Sequence, residues 1–301
     1  RWILDEEVPI VPWDAAGREY QDCRLIHEYT DAVVRKFPPG IGEGIRVAVD
    51  PGCGAACATT PEILTRLGCQ VFTINSQMDG KFPGRLPEPS PEGLLPLGDL
   101  VRSTGASLGI AHDGDADRAV FLDEQGRFIE ENKEFALIAG QVCSSRKGTI
   151  VMPVSTSRVV EMIAHDCGCD VKYTPVGSIY VARAMRALEA EGTPVAFGGE
   201  GNGGLIYPDH QYCRDGAMTA AMIIAILARE RCQVSELVAS LPEFHLIKEK
   251  IRGKDPAAMI KRLNSGFSGE SIDQTDGIRI NRADSWALVR PSGTEPLVRV
   301  I

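Results

Sequence analysis

Apolar residues along the chain fall into short runs that alternate with amphipathic stretches and glycine turns. A β-rich run over 45–49 is followed by a glycine turn, a helical stretch over 61–67 and a second strand-like run over 70–74. The same succession recurs later in the chain, with strand, helix and strand at 149–153, 158–165 and 170–174. The pattern therefore predicts two repeated βαβ units.

Each repeat continues to an acidic residue at the same distance from a glycine. Asp113 lies eight positions after Gly105, and Glu200 lies eight positions after Gly192. A short apolar strand follows each acidic residue, so both acidic loops are predicted to be tips between paired strands. We expect two α/β domains with largely parallel sheets and helices on both faces, with ligands at the carboxyl ends of the strands.

Two segments interrupt this pattern. Residues 79–98 contain five prolines and four glycines, which predicts an irregular surface segment. A boundary near Pro242 separates a smaller third unit. The expected domains are therefore 18–124, 125–240 and 241–301.

Length, composition and charge fit this organisation. The 301 residues exceed one domain of about 150 residues, and 44% hydrophobic with 24% charged residues is typical of a globular protein. The net charge is 32 − 41 = −9, which repels nucleic acid and anionic lipid, and no apolar run is long enough to span a membrane. Nine cysteines cannot all pair within the chain and no basic, apolar leader opens it, so we expect a reducing cytoplasm.

The first loop with candidate chemistry is Asp113-Gly-Asp-Ala-Asp-Arg118, called here the metal loop. Its three carboxylates repel one another unless a cation neutralises them. Hard oxygen ligands of this kind suit Mg²⁺ that bridges to a phosphate. We therefore expect Asp113, Asp115 and Asp117 to bind Mg²⁺.

Two other interpretations of the metal loop remain at this stage. The three aspartates and Glu124 fit positions 1, 3, 5 and 12 of an EF-hand, but position 6 is Arg118 rather than glycine and the flanks are strand-like. Alternatively, Asp113 is the nucleophile of a phosphatase, although the third carboxylate is not expected there.

The second loop is the glycine-rich segment 198–204, called here the sugar loop. Five of its seven residues are glycine, which lets the backbone approach a ligand closely. Glu200 offers an acceptor and Asn202 offers both a donor and an acceptor, the combination that sugar hydroxyls need. A glycine-rich hairpin without a ligand is the alternative.

The third loop, called here the phosphate loop, runs from Arg290 through Ser292, Gly293 and Thr294, with Arg299 nearby. It combines guanidinium groups, hydroxyls and a glycine amide. Such a set binds phosphate oxygens through charge-assisted hydrogen bonds. The alternative is a turn without a ligand.

Metal loop, sugar loop and phosphate loop in this order resemble the α-D-phosphohexomutase superfamily over nearly all of the chain. The ending Asn202-Gly203-Gly204 resembles the archaeal-type phosphomannomutase, phosphoglucomutase and phosphoglucosamine mutase group. The resemblance implies two repeated mixed-sheet α/β domains plus a smaller C-terminal α+β domain. It also implies Mg²⁺-dependent transfer of a phosphoryl group between C1 and C6 of a hexose phosphate, through a hexose 1,6-bisphosphate.

The resemblance assigns a role to each loop residue by its motif. The three aspartates of the metal loop resemble the Mg²⁺ ligands, and Arg118 resembles the basic residue beside the reactive phosphate. Glu200 and Asn202 resemble the residues that bind sugar hydroxyls. A last set of residues resembles the clamp that binds the substrate's own phosphate, namely Arg290, Ser292, Gly293, Thr294 and Arg299.

Three departures from the family pattern affect these expectations. No serine is followed by His-Asn, and residues 1–17 resemble only the tail of the domain that carries the family's phosphoserine, so we expect an inactive fragment of a mutase. The family's lysine in the Thr-x-Val-Gly loop is replaced by Pro175. The histidine that often ends the sugar loop is replaced by Gly204, which leaves His210 as a candidate catalytic substitute.

Two other classes of function compete with the mutase. They are a non-catalytic phosphosugar-binding module and a metal-dependent phosphatase. The pattern selects neither an oligomeric state nor one sugar among mannose, glucose and glucosamine, because Glu200 and Asn202 suit all three.

Overall fold

The strands of the protein form three sheets. The computed structural model describes residues 10–20, 22, 24–252, 259–260, 262–263, 266–267, 269, 271–292 and 297–301. Short 3₁₀ helices occur at Trp13–Ala15 and Ala55–Ala58.

The first sheet follows the first predicted repeat. Its strands are β1 (Arg46–Asp50), β2 (Gln70–Thr73), β3 (Leu108–His112) and β4 (Ala119–Leu122). They lie in the order β2-β1-β3-β4, with β1 parallel to both neighbours and β4 antiparallel to β3. The helices are α1 (Arg24–Val34), α2 (Thr60–Arg66) and α3 (Leu95–Thr104).

The second sheet repeats this topology. Its strands are β5 (Thr149–Pro153), β6 (Asp170–Thr174), β7 (Val195–Glu200) and β8 (Gly204–Ile206). They lie in the order β6-β5-β7-β8, and only β8 pairs antiparallel. The helices are α4 (Glu131–Ser145), α5 (Arg158–Asp166), α6 (Ser178–Ala190), α7 (Gly216–Glu230) and α8 (Val234–Ala239). The predicted repeat of mixed α/β sheets is confirmed.

The third sheet is antiparallel throughout. Its strands are β9 (Glu249–Arg252), β10 (Ser271–Asp273), β11 (Ile278–Asn281), β12 (Trp286–Pro291) and β13 (Leu297–Val300). They lie in the order β10-β11-β12-β13-β9. The fold class of two mixed α/β domains with a smaller C-terminal domain is therefore confirmed.

One apolar core joins the two α/β domains. Helix α4 contacts both β4 and β7, and α7 contacts both β4 and β8. Within this core, Phe135 of α4 meets Phe197 of β7 edge to face, with ring centroids 5.8 Å apart. Helix α7 is apolar around most of its circumference because it is buried on most sides. This packing fixes the position of one domain's loops against those of the other.

The prediction of an irregular segment over 79–98 is wrong at its end. Helix α3 begins at Leu95, and Pro96 lies in its first turn. Proline is tolerated there because the first N–H groups of a helix have no partner within the helix. Within the described ranges, no helix combines the length and apolar character that a membrane span requires.

Candidate functional site

The metal loop connects β3 to β4 and brings its three carboxylates together. One oxygen from each of Asp113, Asp115 and Asp117 lies within 4.8 Å of the others. Asp113 is buried, and its two oxygens accept hydrogen bonds from Arg118 Nε at 2.6 Å and from the Arg118 backbone N–H at 3.1 Å. The backbone therefore folds the acidic side chains toward one point.

The chemistry of this cluster fits a divalent cation. Asp117 Oδ1 is buried and has no hydrogen-bond partner among the described residues. Burial raises the pKa of Asp117, and the nearby carboxylates of Asp113 and Asp115 add to this effect, while Arg214 opposes it. A cation with hard oxygen ligands removes this penalty and supplies the missing partner.

The EF-hand alternative is wrong. An EF-hand loop joins two helices, whereas the metal loop joins the antiparallel strands β3 and β4. The carboxylate of Glu124, which the EF-hand needs as a ligand, accepts hydrogen bonds from Ser235 Oγ at 2.6 Å and from the Ser235 N–H at 3.2 Å.

Arg118 lies between the metal loop and an exposed carboxylate. Its Nη1 and Nη2 donate to the two oxygens of Glu88 at 2.7 and 3.0 Å. The hydrogen bonds to Glu88 and Asp113 raise the pKa of Arg118, so its guanidinium is charged. The Glu88 side chain is 72% exposed and that of Arg118 is 17% exposed, so Glu88 holds the Nη edge of a mostly buried arginine from the solvent side.

A buried arginine holds the 79–98 segment against the sheet. Arg85 donates from Nε to Asp50 Oδ2 at 2.9 Å and from Nη2 to the carbonyl of His112 at 2.5 Å. It thus joins the carboxyl ends of β1 and β3. Asn75 completes the contact by donating to Asp50 Oδ2 at 3.1 Å. Sequence reasoning missed Arg85 and Glu88 because proline-rich segments carry no periodic signal.

The sugar loop lies directly against the metal loop. The Gly203 carbonyl accepts a hydrogen bond from the Ala119 N–H at 3.0 Å. Gly203 has a φ of +81°, and a Cβ at this position would lie 2.4 Å from the Ala119 carbonyl oxygen. Only glycine permits both the conformation and this close approach. Glu200 is buried at the end of β7, and Asn202 Oδ1 accepts from the Gly204 N–H at 3.1 Å.

Arg214 is a site residue that sequence reasoning missed. Its Nη1 donates to Glu200 Oε2 at 3.0 Å, and its Nη2 donates to Asp117 Oδ2. One guanidinium therefore joins a carboxylate of the sugar loop to a carboxylate of the metal loop. The only sequence signal is its place just before Asp215, the N-cap of α7.

His210 contacts that N-cap rather than the sugar loop. Its Nε2 lies 3.0 Å from Asp215 Oδ2, while Asp215 Oδ1 accepts from Tyr29 Oη at 2.7 Å and from the Met218 N–H at 2.9 Å. Burial opposes ionisation of Asp215, but these contacts outweigh it and lower the pKa. His210 helps to orient the start of α7, and its catalytic assignment stays a prediction.

The phosphate loop lies in the C-terminal sheet, where Arg290 and Arg299 are opposite each other on β12 and β13. The Ser292 N–H donates to the Leu297 carbonyl at 2.9 Å. Gly293 and Thr294 lie outside the described residues.

An aspartate links the phosphate loop to the second α/β domain. Asp276 Oδ2 accepts from Arg290 Nε at 2.8 Å and from the Val176 N–H at 3.0 Å. Val176 follows Pro175 in the loop after β6. The loop after β6 thus contributes a backbone N–H here rather than the charge of a lysine. This N–H binds Asp276, and Asp276 in turn fixes the Nε edge of Arg290.

Family models match nearly the whole chain. The models of phosphoglucomutase/phosphomannomutase match as alpha/beta/alpha domain II over residues 27–126, alpha/beta/alpha domain III over 130–244 and the C-terminal domain over 246–301.

Individual proteins agree with these models. A phosphoglucomutase/phosphomannomutase of Thermococcus kodakarensis is 45% identical over 304 residues, which cover 99% of this chain and 65% of the relative. A probable phosphoglucosamine mutase of Methanopyrus kandleri is 37% identical over 305 residues, with 99% and 66% covered. The X-ray structure of a phosphoglucomutase/phosphomannomutase family protein from Burkholderia thailandensis gives a TM-score of 0.82 at 26% identity, over 92% of this chain and 59% of that one. The chain spans about two thirds of the length of these curated relatives, and it belongs to the phosphoglucomutase/phosphomannomutase family.

Proposed function

We propose that this chain binds Mg²⁺ and a hexose phosphate for a mutase reaction between C1 and C6. In this reaction a phosphoserine of the family's motif, which this sequence does not contain, donates a phosphoryl group to give a hexose 1,6-bisphosphate and takes one back. The relatives named above are mutases of this class. The observation that carries the proposal is the hydrogen bond between Ala119 and Gly203, because it joins the start of β4, directly after the metal loop, to the sugar loop. Three carboxylates and the candidate sugar-binding residues then face one substrate.

Each residue of the metal loop has a role in this proposal. Asp113, Asp115 and Asp117 would hold the Mg²⁺, and the ion would supply positive charge against the oxygens of the transferring phosphoryl group. Arg118 exchanges the carboxylate of Glu88 for a phosphate oxygen and adds a second positive charge at the same point.

The sugar and phosphate loops orient the substrate. Glu200 accepts hydrogen bonds from sugar hydroxyls, and Asn202 both donates and accepts. Arg290, fixed at Nε by Asp276, binds the phosphate that is not being transferred, with Ser292 and Arg299 beside it. Gly293 and Thr294 complete this clamp in the sequence-based prediction.

Calorimetric titration with glucose 6-phosphate in saturating Mg²⁺ tests the proposal. We expect saturable binding, and Arg290→Lys should weaken it about ten- to a hundredfold, because a lysine cannot reproduce the charge-assisted hydrogen bonds of a guanidinium fork. Binding of unphosphorylated glucose should not change, and the melting temperature should change much less than the affinity for glucose 6-phosphate. Arg229→Lys, near the end of α7, is the matched control.

The same experiment separates the alternatives. Equal affinity of wild type and Arg290→Lys would contradict the phosphate assignment. Release of inorganic phosphate from the sugar phosphate would favour a metal-dependent phosphatase instead. Ranking the affinities for glucose, mannose and glucosamine 6-phosphate identifies the sugar.

A further inference from the structure

Arg214 occupies a position from which it contacts two different sites at once. Its guanidinium pairs with the buried carboxylate of Glu200 through Nη1, at 3.0 Å, and with the half-buried carboxylate of Asp117 through Nη2. Asp117 uses Oδ2 for this contact and has no hydrogen bond at Oδ1 among the described residues. Arg214 is therefore bound to one residue of each functional loop.

The path of this side chain depends on a missing side chain in the sugar loop. A Cβ at Gly204 would lie 2.4 Å from Cδ of Arg214. Any other residue at position 204 would displace the arginine, since real atoms do not approach so closely. The glycine at position 204 thus makes room for Arg214 beside Glu200.

We propose that Arg214 is a positioning residue that couples the metal loop to the sugar loop, competing with the cation for Asp117 while it orients Glu200 for the sugar. This inference rests on the proposed function and deepens it. A divalent cation at the three aspartates repels the guanidinium and takes over Asp117. Arg214 then keeps its pair with Glu200 and holds that carboxylate ready for a hydroxyl.

The proposal predicts opposite effects on the two ligands. Arg214→Gln removes the positive charge beside the cluster, so Mg²⁺ alone should bind about two- to fivefold more tightly, as for loss of one partly exposed charge. The same change leaves Glu200 without its partner, so glucose 6-phosphate in saturating Mg²⁺ should bind about tenfold more weakly. A residue with only a scaffolding role would not shift the two affinities in opposite directions.

Two further variants separate charge from position. Arg214→Lys keeps the charge but cannot span both carboxylates, so Mg²⁺ affinity should stay near that of wild type while sugar phosphate binding weakens. Gly204→Ala crowds Arg214 Cδ at 2.4 Å and Asn202 Oδ1 at 3.0 Å, so it should also weaken sugar phosphate binding, and it should raise Mg²⁺ affinity if the guanidinium leaves Asp117. Arg229→Gln lies near the far end of α7 and should change neither affinity.

Calorimetric titration of the whole chain with Mg²⁺ and with glucose 6-phosphate tests the proposal, with melting temperatures measured in parallel. Opposite shifts in Arg214→Gln support the proposal. Unchanged affinities, or a parallel loss of both, would overturn it while leaving the proposed function in place. A wild-type chain that binds neither Mg²⁺ nor glucose 6-phosphate would overturn the proposed function itself, and the coupling with it.

Discussion

The two α/β domains have sheets of the same topology, and each has a loop at the equivalent point of its own sheet. The two loops carry different functional groups. The metal loop and the sugar loop each follow the third strand of a four-stranded sheet and return in an antiparallel strand. The first offers carboxylate side chains. The second removes side chains so that its backbone reaches Ala119. On the proposed function, the repeated fold therefore fixes where a ligand would bind, and the residues of each loop decide which ligand it would be.

The two loops share Arg214, which pairs with Asp117 of one and Glu200 of the other, but they differ in their remaining contacts. In the metal loop, Arg118 pairs with Asp113 of the same loop and with Glu88. The sugar loop gains its close contact from the absence of a side chain at Gly203. Substitutions of the aspartates in the metal loop should therefore change ligand binding, and substitution of Gly203 in the sugar loop should change stability.

The largest expected effect separates the ligands of the two loops. Asp113→Asn removes a charged ligand and should weaken Mg²⁺ binding at least about a hundredfold, since even outer-shell partners of metal sites contribute tenfold to a hundredfold. Asn202→Ala should leave the Mg²⁺ affinity within about twofold of wild type and should weaken the binding of glucose 6-phosphate. Calorimetry of both variants measures the contrast, and a Mg²⁺ affinity that responds equally to both changes would contradict it.

The next effect concerns glycines at the two turns. Gly203→Ala should lower the free energy of unfolding by about 2–4 kcal/mol, because it combines an unfavourable φ of +81° with a Cβ only 2.4 Å from Ala119 O. Gly114→Ala should cost less than about 1 kcal/mol, because the atoms nearest to its Cβ would belong to the side chains of Phe82 and Pro87, at 3.2 Å, rather than to the backbone. Urea denaturation measures both, and equal losses would show that the two turns tolerate side chains alike.

Local sequence signals account for the strands and helices of the two βαβ units and for the positions of the two loops. Strands β5 and β6 have the predicted bounds, because β-branched runs between turn residues leave little choice of conformation. The positions of Asp113 and Glu200 follow from the repeat. Arg85 and Arg214 were not predicted, because their roles arise from contacts between segments far apart in the chain, which no local pattern encodes.

A buried carboxylate outside both loops differs from Asp113 and Glu200, which have arginine partners. Glu134 of α4 is fully buried and has no hydrogen-bond partner among the described residues, and burial raises its pKa well above the usual range. A raised pKa in the folded state gives stability that is present below about pH 4.5, the unfolded value, and is lost as the pH rises toward the folded value.

Glu134→Gln should therefore match wild type near pH 4.5 and exceed its unfolding free energy by about 1–3 kcal/mol at pH 8, the range for a buried unsatisfied group. Urea denaturation at both pH values tests this. Glu28→Gln, on the exposed face of α1, should show no such gain. A constant difference across the pH range would mean that Glu134 has a partner.

The smallest expected effect tests whether Glu88 competes with a phosphate for the Nη edge of Arg118. The hydrogen bonds from Arg118 lower the pKa of Glu88, so the ion pair stabilises the fold above about pH 4.5 and is lost as the pH falls through the folded value. Because the carboxylate is mostly exposed, Glu88→Gln should cost less than about 1 kcal/mol at pH 7.

The same variant leaves the Nη edge of Arg118 without an anionic partner, so inorganic phosphate should bind about two- to fivefold more tightly than to wild type, which must first break the ion pair. Calorimetric titration at pH 7 measures this, with Glu92→Gln in the same segment as the matched exposed control. Weaker phosphate binding would mean that Glu88 orients Arg118 for the anion rather than competing with it. Tighter binding would show that Arg118 stays paired with Glu88 until the anion replaces that carboxylate.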